Sequence, residues 1–247
     1  MLASIEGDLY YGTHDAIILG KSSSALLVLA GYIKRTLLVK IFYAALVVLY
    51  GLFLGWYGGF ASPVSKQELE SYIEEFKAAS HTDPFGPIKY MRNLAASDQG
   101  GEFLMVNLMD FRDVAAYPPE SPWANDPDPL AADARYSGKI APLLLKRGSH
   151  PMLLGPVTGS FIIEGEWGNW DNVVIIRYRS VRDMLEMLIE MATLGDVAVH
   201  KWASMEKTQV FPIKPSFAFP GLRLLVALFL IALAITVRFA TKFIKSK

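Results

Sequence analysis

Two uncharged, apolar stretches near the ends of the chain constrain everything between them. From Ile41 to Ser65, IFYAALVVLYGLFLGWYGGFASPVS carries no charged side chain, and neither does LLVALFLIALAITV from Leu224 to Val237. About 20 predominantly apolar residues suffice for a helix to cross a bilayer. The first stretch meets that length, and Tyr50, Trp56, Tyr57 and Phe60 gather towards its far end as an interfacial aromatic belt would. The second is slightly short, and Arg223 and Arg238 complete it if their cations reach opposite interfaces. The first stretch is too long, and begins too far into the chain, for a cleaved signal peptide.

Flanking cations set an expected orientation. Lys34, Arg35 and Lys40 precede the first span, and Arg238, Lys242, Lys245 and Lys247 close the second. The positive-inside rule then places both termini in the cytoplasm and the middle of the chain outside, which in a bacterium means a periplasmic domain held by the inner membrane. Residues 1–36 hold two apolar runs broken by Lys21 and three serines. They read as an amphipathic segment on the cytoplasmic surface, with a third span as the alternative. The expected organisation is residues 1–36 interfacial, 37–61 first span, 62–101 helical connector, 102–215 extracytoplasmic domain, and 216–247 second span with a basic tail.

The connector opens with a capping box, Ser65 with Glu68, ahead of Leu69, Ile73 and Phe76 at helical spacing. A second short helix follows over GPIKYMRNLAAS, and DQGG (98–101) ends it. The domain then reads as a strand (EFLMVNLMDF, 102–111), a proline-rich loop (YPPESPWANDPDP) and a helix over Leu130–Arg147 with Gly138 and Pro142 predicting a kink or break. A long strand over 151–165 comes next, then a third strand in which Val173, Ile175 and Arg177 face one way and Val174, Ile176 and Tyr178 the other. Ser180 caps a helix with Asp183 at the box position, His200 lies near the end of that helical region, and KTQVFPI (207–213) is a final strand. The order β-α-β-β-α-β is the split βαβ arrangement of a ferredoxin-like fold.

MVNLMDF, the tyrosine in ARYSGKIAPLLLKRGSHPMLLG, IIEGEWGNWDNVVIIRYRS and HKWASMEKTQVFPI resemble the domain-of-unknown-function family 1330, over about residues 102–215. The resemblance implies a dimeric α+β barrel, in which two sheets pair face to face in a homodimer. The fold class expected is therefore α+β: a ferredoxin-like βαββαβ module of the dimeric α+β barrel type, flanked by two transmembrane α-helices. Superfamily relatives include cofactor-free monooxygenases, isomerases and haem enzymes, so the resemblance names no single reaction.

Candidate chemistry is sparse. His200 stands where the resembled family often has a histidine and could shuttle protons or ligate haem, and packing near a helix terminus is the commoner role. Arg177, inside an apolar strand, needs a carboxylate such as Glu164 or a bound anion. Trp170 and Asp171 could line a pocket mouth, or stabilise a turn. Tyr136 could donate to a ligand, or pack on the sheet. The other histidines, His14, His81 and His150, fall in different elements, so no metal site is expected. No cofactor motif and no nucleophile elbow occurs. Balanced charge, 24 basic against 24 acidic residues, excludes a nucleic-acid footprint, and the absence of cysteine excludes disulfides and thiolate chemistry.

Three functions fit: an accessory or assembly subunit of a larger membrane complex, with the bilayer, other membrane subunits and a second copy as partners; a binder or cofactor-free enzyme for an apolar membrane-derived molecule; and a homo-oligomeric sensing head. The first is favoured, because no intramembrane acid or base marks a transport path and no acid, base and nucleophile converge in the domain.

Overall fold

The computed structural model describes residues 12–80, 87–165, 168–195, 197–215 and 221–245. Its chain divides into two compact units, one holding residues up to Leu52 with Leu224–Lys247, the other Phe53–Arg223. The first contains most of α1 (Gly12–Tyr57) and of α7 (Leu222–Lys245). Within them, Ile33–Tyr57 and Leu222–Phe243 are long and apolar enough to cross a membrane. From Gly12 on, the segment read as a separate N-terminal element continues α1 without a break, and residues 1–11 lie outside the described residues.

The second unit is α+β. After α1, the connector folds as α2 (Lys66–Ala79) and α3 (Pro87–Ala96). At the start of α2, the Ser65 hydroxyl accepts from the Glu68 amide while the Glu68 carboxylate accepts from the Ser65 amide, so the capping box is formed. Then come β1 (Phe103–Phe111), α4 (Pro129–Lys146), β2 (His150–Pro156), β3 (Asn172–Tyr178), α5 (Val181–Thr193), α6 (Val197–Ser204) and β4 (Met205–Ile213). The four strands form one antiparallel sheet in the order β2-β3-β1-β4.

Alternation decides which face is covered. Phe103, Met105 and Tyr178 are buried on one face against Ile140, Leu143, Leu144, Leu185 and Val197 from the helices, with Ile73, Phe76 and Met91 of the connector completing the core. Phe103 and Tyr178, opposite each other in register, stack at 5.3 Å. The other face carries Leu153, Ile175, Val106 and Phe211 in one transverse row through all four strands. No helix covers that row among the described residues, and Leu153 and Phe211 are exposed.

Three local expectations need correction. The strand expected over 151–165 stops at Pro156: the last tie is the Val157 amide donating to the Asp171 carbonyl, and beyond it lie exposed residues with Gly159 and Gly165 at positive φ. α4 does not break. Pro142 and Gly138 both lie on its exposed side, where solvent serves the Gly138 carbonyl that Pro142 cannot bond. The helical region before β4 is two helices, because Gly195 at φ +75 ends α5.

Candidate functional site

A helix terminus exposes carbonyls with no partner inside the helix. At the end of α1, the end of β3, the start of α5 and the first turn of α7 answer that need with arginines. The Trp56 carbonyl accepts from Arg179 at 2.9 Å, the Tyr57 carbonyl from Arg177 at 2.8 Å, and the Gly58 carbonyl from Arg223. Further on, Arg182 donates to the Ser62 and Pro63 carbonyls at 2.6 and 3.1 Å. Cations at a helix C-terminus also complement its dipole.

Arg177 is the centre of the cluster. Its side chain is 4% exposed, and all three of its nitrogens are used. Nε donates to Glu102 at 2.8 Å, Nη1 to the Gly148 carbonyl at 2.6 Å, and Nη2 to both Glu102 and the Tyr57 carbonyl. The guanidinium lies 3.7 Å over the Tyr57 ring. Arg223 donates to the same carboxylate from the other side, at 3.2 and 2.5 Å. Burial pushes the Glu102 carboxyl up, and the hydrogen bonds from Arg223 and Arg177 more than reverse it, leaving the group below the ordinary glutamate value. Tyr57 completes the arrangement with its hydroxyl 2.8 Å from His150 Nε2, the two rings stacked at 5.6 Å. His150 Nδ1 lies 2.9 Å from the Pro151 carbonyl. That carbonyl can only accept, so Nδ1 carries the proton and the tyrosine donates to Nε2.

Close approach requires glycine twice here. Gly148 has φ +62, and a Cβ there would sit 2.6 Å from the Trp56 carbonyl oxygen. Gly59, at φ +74, would bring a Cβ to 3.0 Å from the Arg179 carbonyl and 3.2 Å from Arg177 Nη2.

The residue expected to pair with Arg177 was Glu164; the partner is Glu102, and Glu164 lies exposed beyond β2. Register explains this. Arg177 pairs with Leu104, so Glu102, two residues upstream, points to the same face. Tyr57 and Arg223 read in the sequence as belt and snorkel residues, yet both are engaged with this cluster. Glu102 and Gly148 were not singled out; the β1–β3 pairing was the signal that could have found Glu102.

The other candidates lie elsewhere. His200, 1% exposed, has Nδ1 2.8 Å from the Tyr117 hydroxyl and is met edge-on by Tyr117 and Trp123. Arg135 donates to Tyr117 at 3.2 Å, stacks 3.9 Å from Trp123 and pairs with Asp126, so the proline-rich loop is bound to α4 and α6 through these side chains. Asp171 accepts from the Phe111 amide at 2.7 Å and fixes the end of β1, while Lys207 lies 5.4 Å from the Trp170 ring. Tyr136 packs against the helix-covered core, with Lys201 5.4 Å from its ring. Trp170 and Asp171 are adjacent in the chain. No group of three or more histidine, aspartate and glutamate residues arranged to hold a metal ion occurs among the described residues.

No protein-family model matches the chain, and no curated protein does. Among solved structures, the chain is similar to the RPA0582 protein of unknown function from Rhodopseudomonas palustris, at 26% identity over 56% of this chain and 99% of that one, with a TM-score of 0.46. The methylated form of that protein matches at 25% identity over 57% and 99%, with a TM-score of 0.47. The At3g17210 protein of Arabidopsis thaliana matches at 19% identity over 48% and 99%, with a TM-score of 0.29.

Proposed function

We propose that this protein is a membrane-anchored accessory or assembly subunit of a larger membrane complex. The observation that carries the reading is the arginine cluster. Arg177, Arg179, Arg182 and Arg223 spend their donors on backbone carbonyls beside the two apolar helices and on Glu102, Asp183 and Glu68. Polar side chains that elsewhere would meet a substrate here fasten helix ends to a folded module. Such a module suits holding a second protein in a defined place on a membrane.

In this reading the two spans are inserted with both termini cytoplasmic and the α+β module outside. The module is ferredoxin-like and akin to the domain-of-unknown-function family 1330, a view supported by the strand order β2-β3-β1-β4. It self-associates through the uncovered sheet face, supported by the apolar row Leu153, Ile175, Val106 and Phe211. An uncovered apolar face of this kind is costly in water and marks an interaction site.

Purification from native membranes in mild detergent, followed by mass spectrometry, is the test. Stoichiometric membrane subunits should accompany the protein; a clean preparation with a bound organic ligand or haem would replace this reading with the enzyme. Orientation is read separately. The chain has no cysteine, so single cysteines at Ser4, Ser121 and Ser246 are unambiguous probes. An impermeant thiol reagent on intact cells should label only the Ser121 variant.

A further inference from the structure

Beyond β2, residues 157–163 leave the sheet and carry Phe161 at 98% exposure, with Ile162 and Ile163 at 69% and 63%. From Pro151 to Ile163 there is no charged residue. Three large apolar side chains in succession, held away from their own module, cost free energy in water unless something covers them. We propose that residues 157–163 are an arm that crosses onto the uncovered sheet face of a second copy of this chain. The proposal rests on the self-association described above and names the segment that performs it.

The arm lies far from the arginine cluster. β2 begins at His150, beside Tyr57, and runs away from it. Seven residues at about 3.3 Å each place Pro156 roughly 20 Å from that end. The arm therefore starts at the end of the sheet opposite Tyr57, Glu102 and Arg223.

The occupant is argued from chemistry and dimension. The middle of the uncovered face is mostly apolar, with Val173, Leu108 and Gln209 in the row next to Leu153, Ile175, Val106 and Phe211, and the Asp110–Lys207 ion pair in the row beyond. The arm is uncharged, so over the two central rows it meets no charged side chain, and Asp110 and Lys207 beyond them are already paired with each other. Seven extended residues reach about 23 Å, and four strands about 4.8 Å apart span roughly 15 Å between their outer members, so one arm can traverse a whole face. Because one chain supplies both arm and face, two copies satisfy each other reciprocally under a two-fold axis, with neither apolar surface left over.

The experiment uses the full-length protein in detergent, with two differently tagged forms co-expressed. One carries Ser160→Cys in the arm, the other Gln209→Cys on the uncovered face; both are exposed positions. Mild oxidation should give a disulfide joining the two tags in most of the mixed dimer. A single chain carrying both cysteines should give little intrachain product. Phe161→Asp should raise the dimer dissociation midpoint at least tenfold. A dimer that forms without the 160–209 link, or that links within one chain, overturns the arm and leaves self-association standing. A Ser160→Cys form that cross-links chiefly to a different protein overturns it also. A monomer at every concentration, with the Phe161→Asp form no different, overturns both the arm and the self-association.

Discussion

The two ends of the sheet are held by different physics. At the end near Tyr57, four arginines bridge carboxylates and backbone carbonyls. At the other end, Tyr117, Trp123 and His200 hold the proline-rich loop through rings and a neutral hydrogen bond, with one ion pair, Arg135 to Asp126, at the rim. The difference follows from what each end must satisfy. A helix terminus presents several free acceptors together, and guanidinium groups supply many donors in a fixed fork. Five prolines between Tyr117 and Leu130 remove five amides from the loop, so side chains share its fixing with the Ala115 and Ala116 amides, which donate to the Pro127 and Ala203 carbonyls.

Removing the central cation is the harshest way to break the first end. Arg177→Met strands Glu102 beside Arg223 alone and leaves the Tyr57 and Gly148 carbonyls without their donor. Loss of one partner from a buried pair costs about 3–5 kcal/mol. We expect the low end of that range, since the Glu102 side chain is 36% exposed. Chemical unfolding of the module in detergent should show it. Arg177→Lys should recover only part, because an ammonium cannot serve Glu102, Gly148 and Tyr57 in one plane. A loss under 1 kcal/mol would mean that the cluster does not hold the helix end.

How much of this was legible in the sequence depends on the range of the interaction. The capping boxes of Ser65 and Ser180 are local, and the structure forms the first as read and uses the Ser180 hydroxyl to accept from the Asp183 amide. The alternation of Val173 to Tyr178 likewise gave the correct faces, since a strand has period two whatever its neighbours. Glu102 as the partner of Arg177 was not legible by spacing, because 75 residues separate them and only the β1–β3 register joins them. Tyr57 and Arg223 were read by hydropathy alone, which cannot tell an interfacial residue from one recruited by a neighbouring domain. The end of β2 was missed because VTGSFII is apolar enough for a strand, and a strand also needs a partner, which ends at Asn172.

Breaking the second end should cost less. Tyr117→Phe removes the hydrogen bond to His200 Nδ1 and the acceptor for Arg135. A buried polar atom left without its partner costs about 1–3 kcal/mol. His200→Gln should cost about the same. The sharper readout is where the molecule opens. Limited proteolysis of either variant should cut first within the loop around Pro118–Pro127, whereas Arg177→Met should speed cleavage near Gly58–Pro63. If Tyr117→Phe left loop cleavage unchanged, the rings alone would hold that end.

Acid should loosen the first end by a smaller step that can be assigned to one residue. Glu68 accepts from Arg182 and from the Ser65 amide, and these bonds, with Arg182 the largest cause, hold its carboxyl down to about 2 against an ordinary 4.5. A carboxyl depressed on folding contributes stability that is complete above its unfolded value and disappears as pH falls towards the folded one. The window is therefore pH 4.5 down to about 2, and stability falls with falling pH across it. The effect is modest, since the pair is exposed and salt screens it. Glu68→Gln removes the titrating group, so its unfolding midpoint should change less between pH 4.5 and 3 than that of the parent protein, while the two converge at pH 2. Raising ionic strength should shrink the difference at pH 6. A Glu68→Gln variant with the parent's full acid response would move the acid sensitivity to Glu102, whose carboxyl is also held low by arginines at the same end.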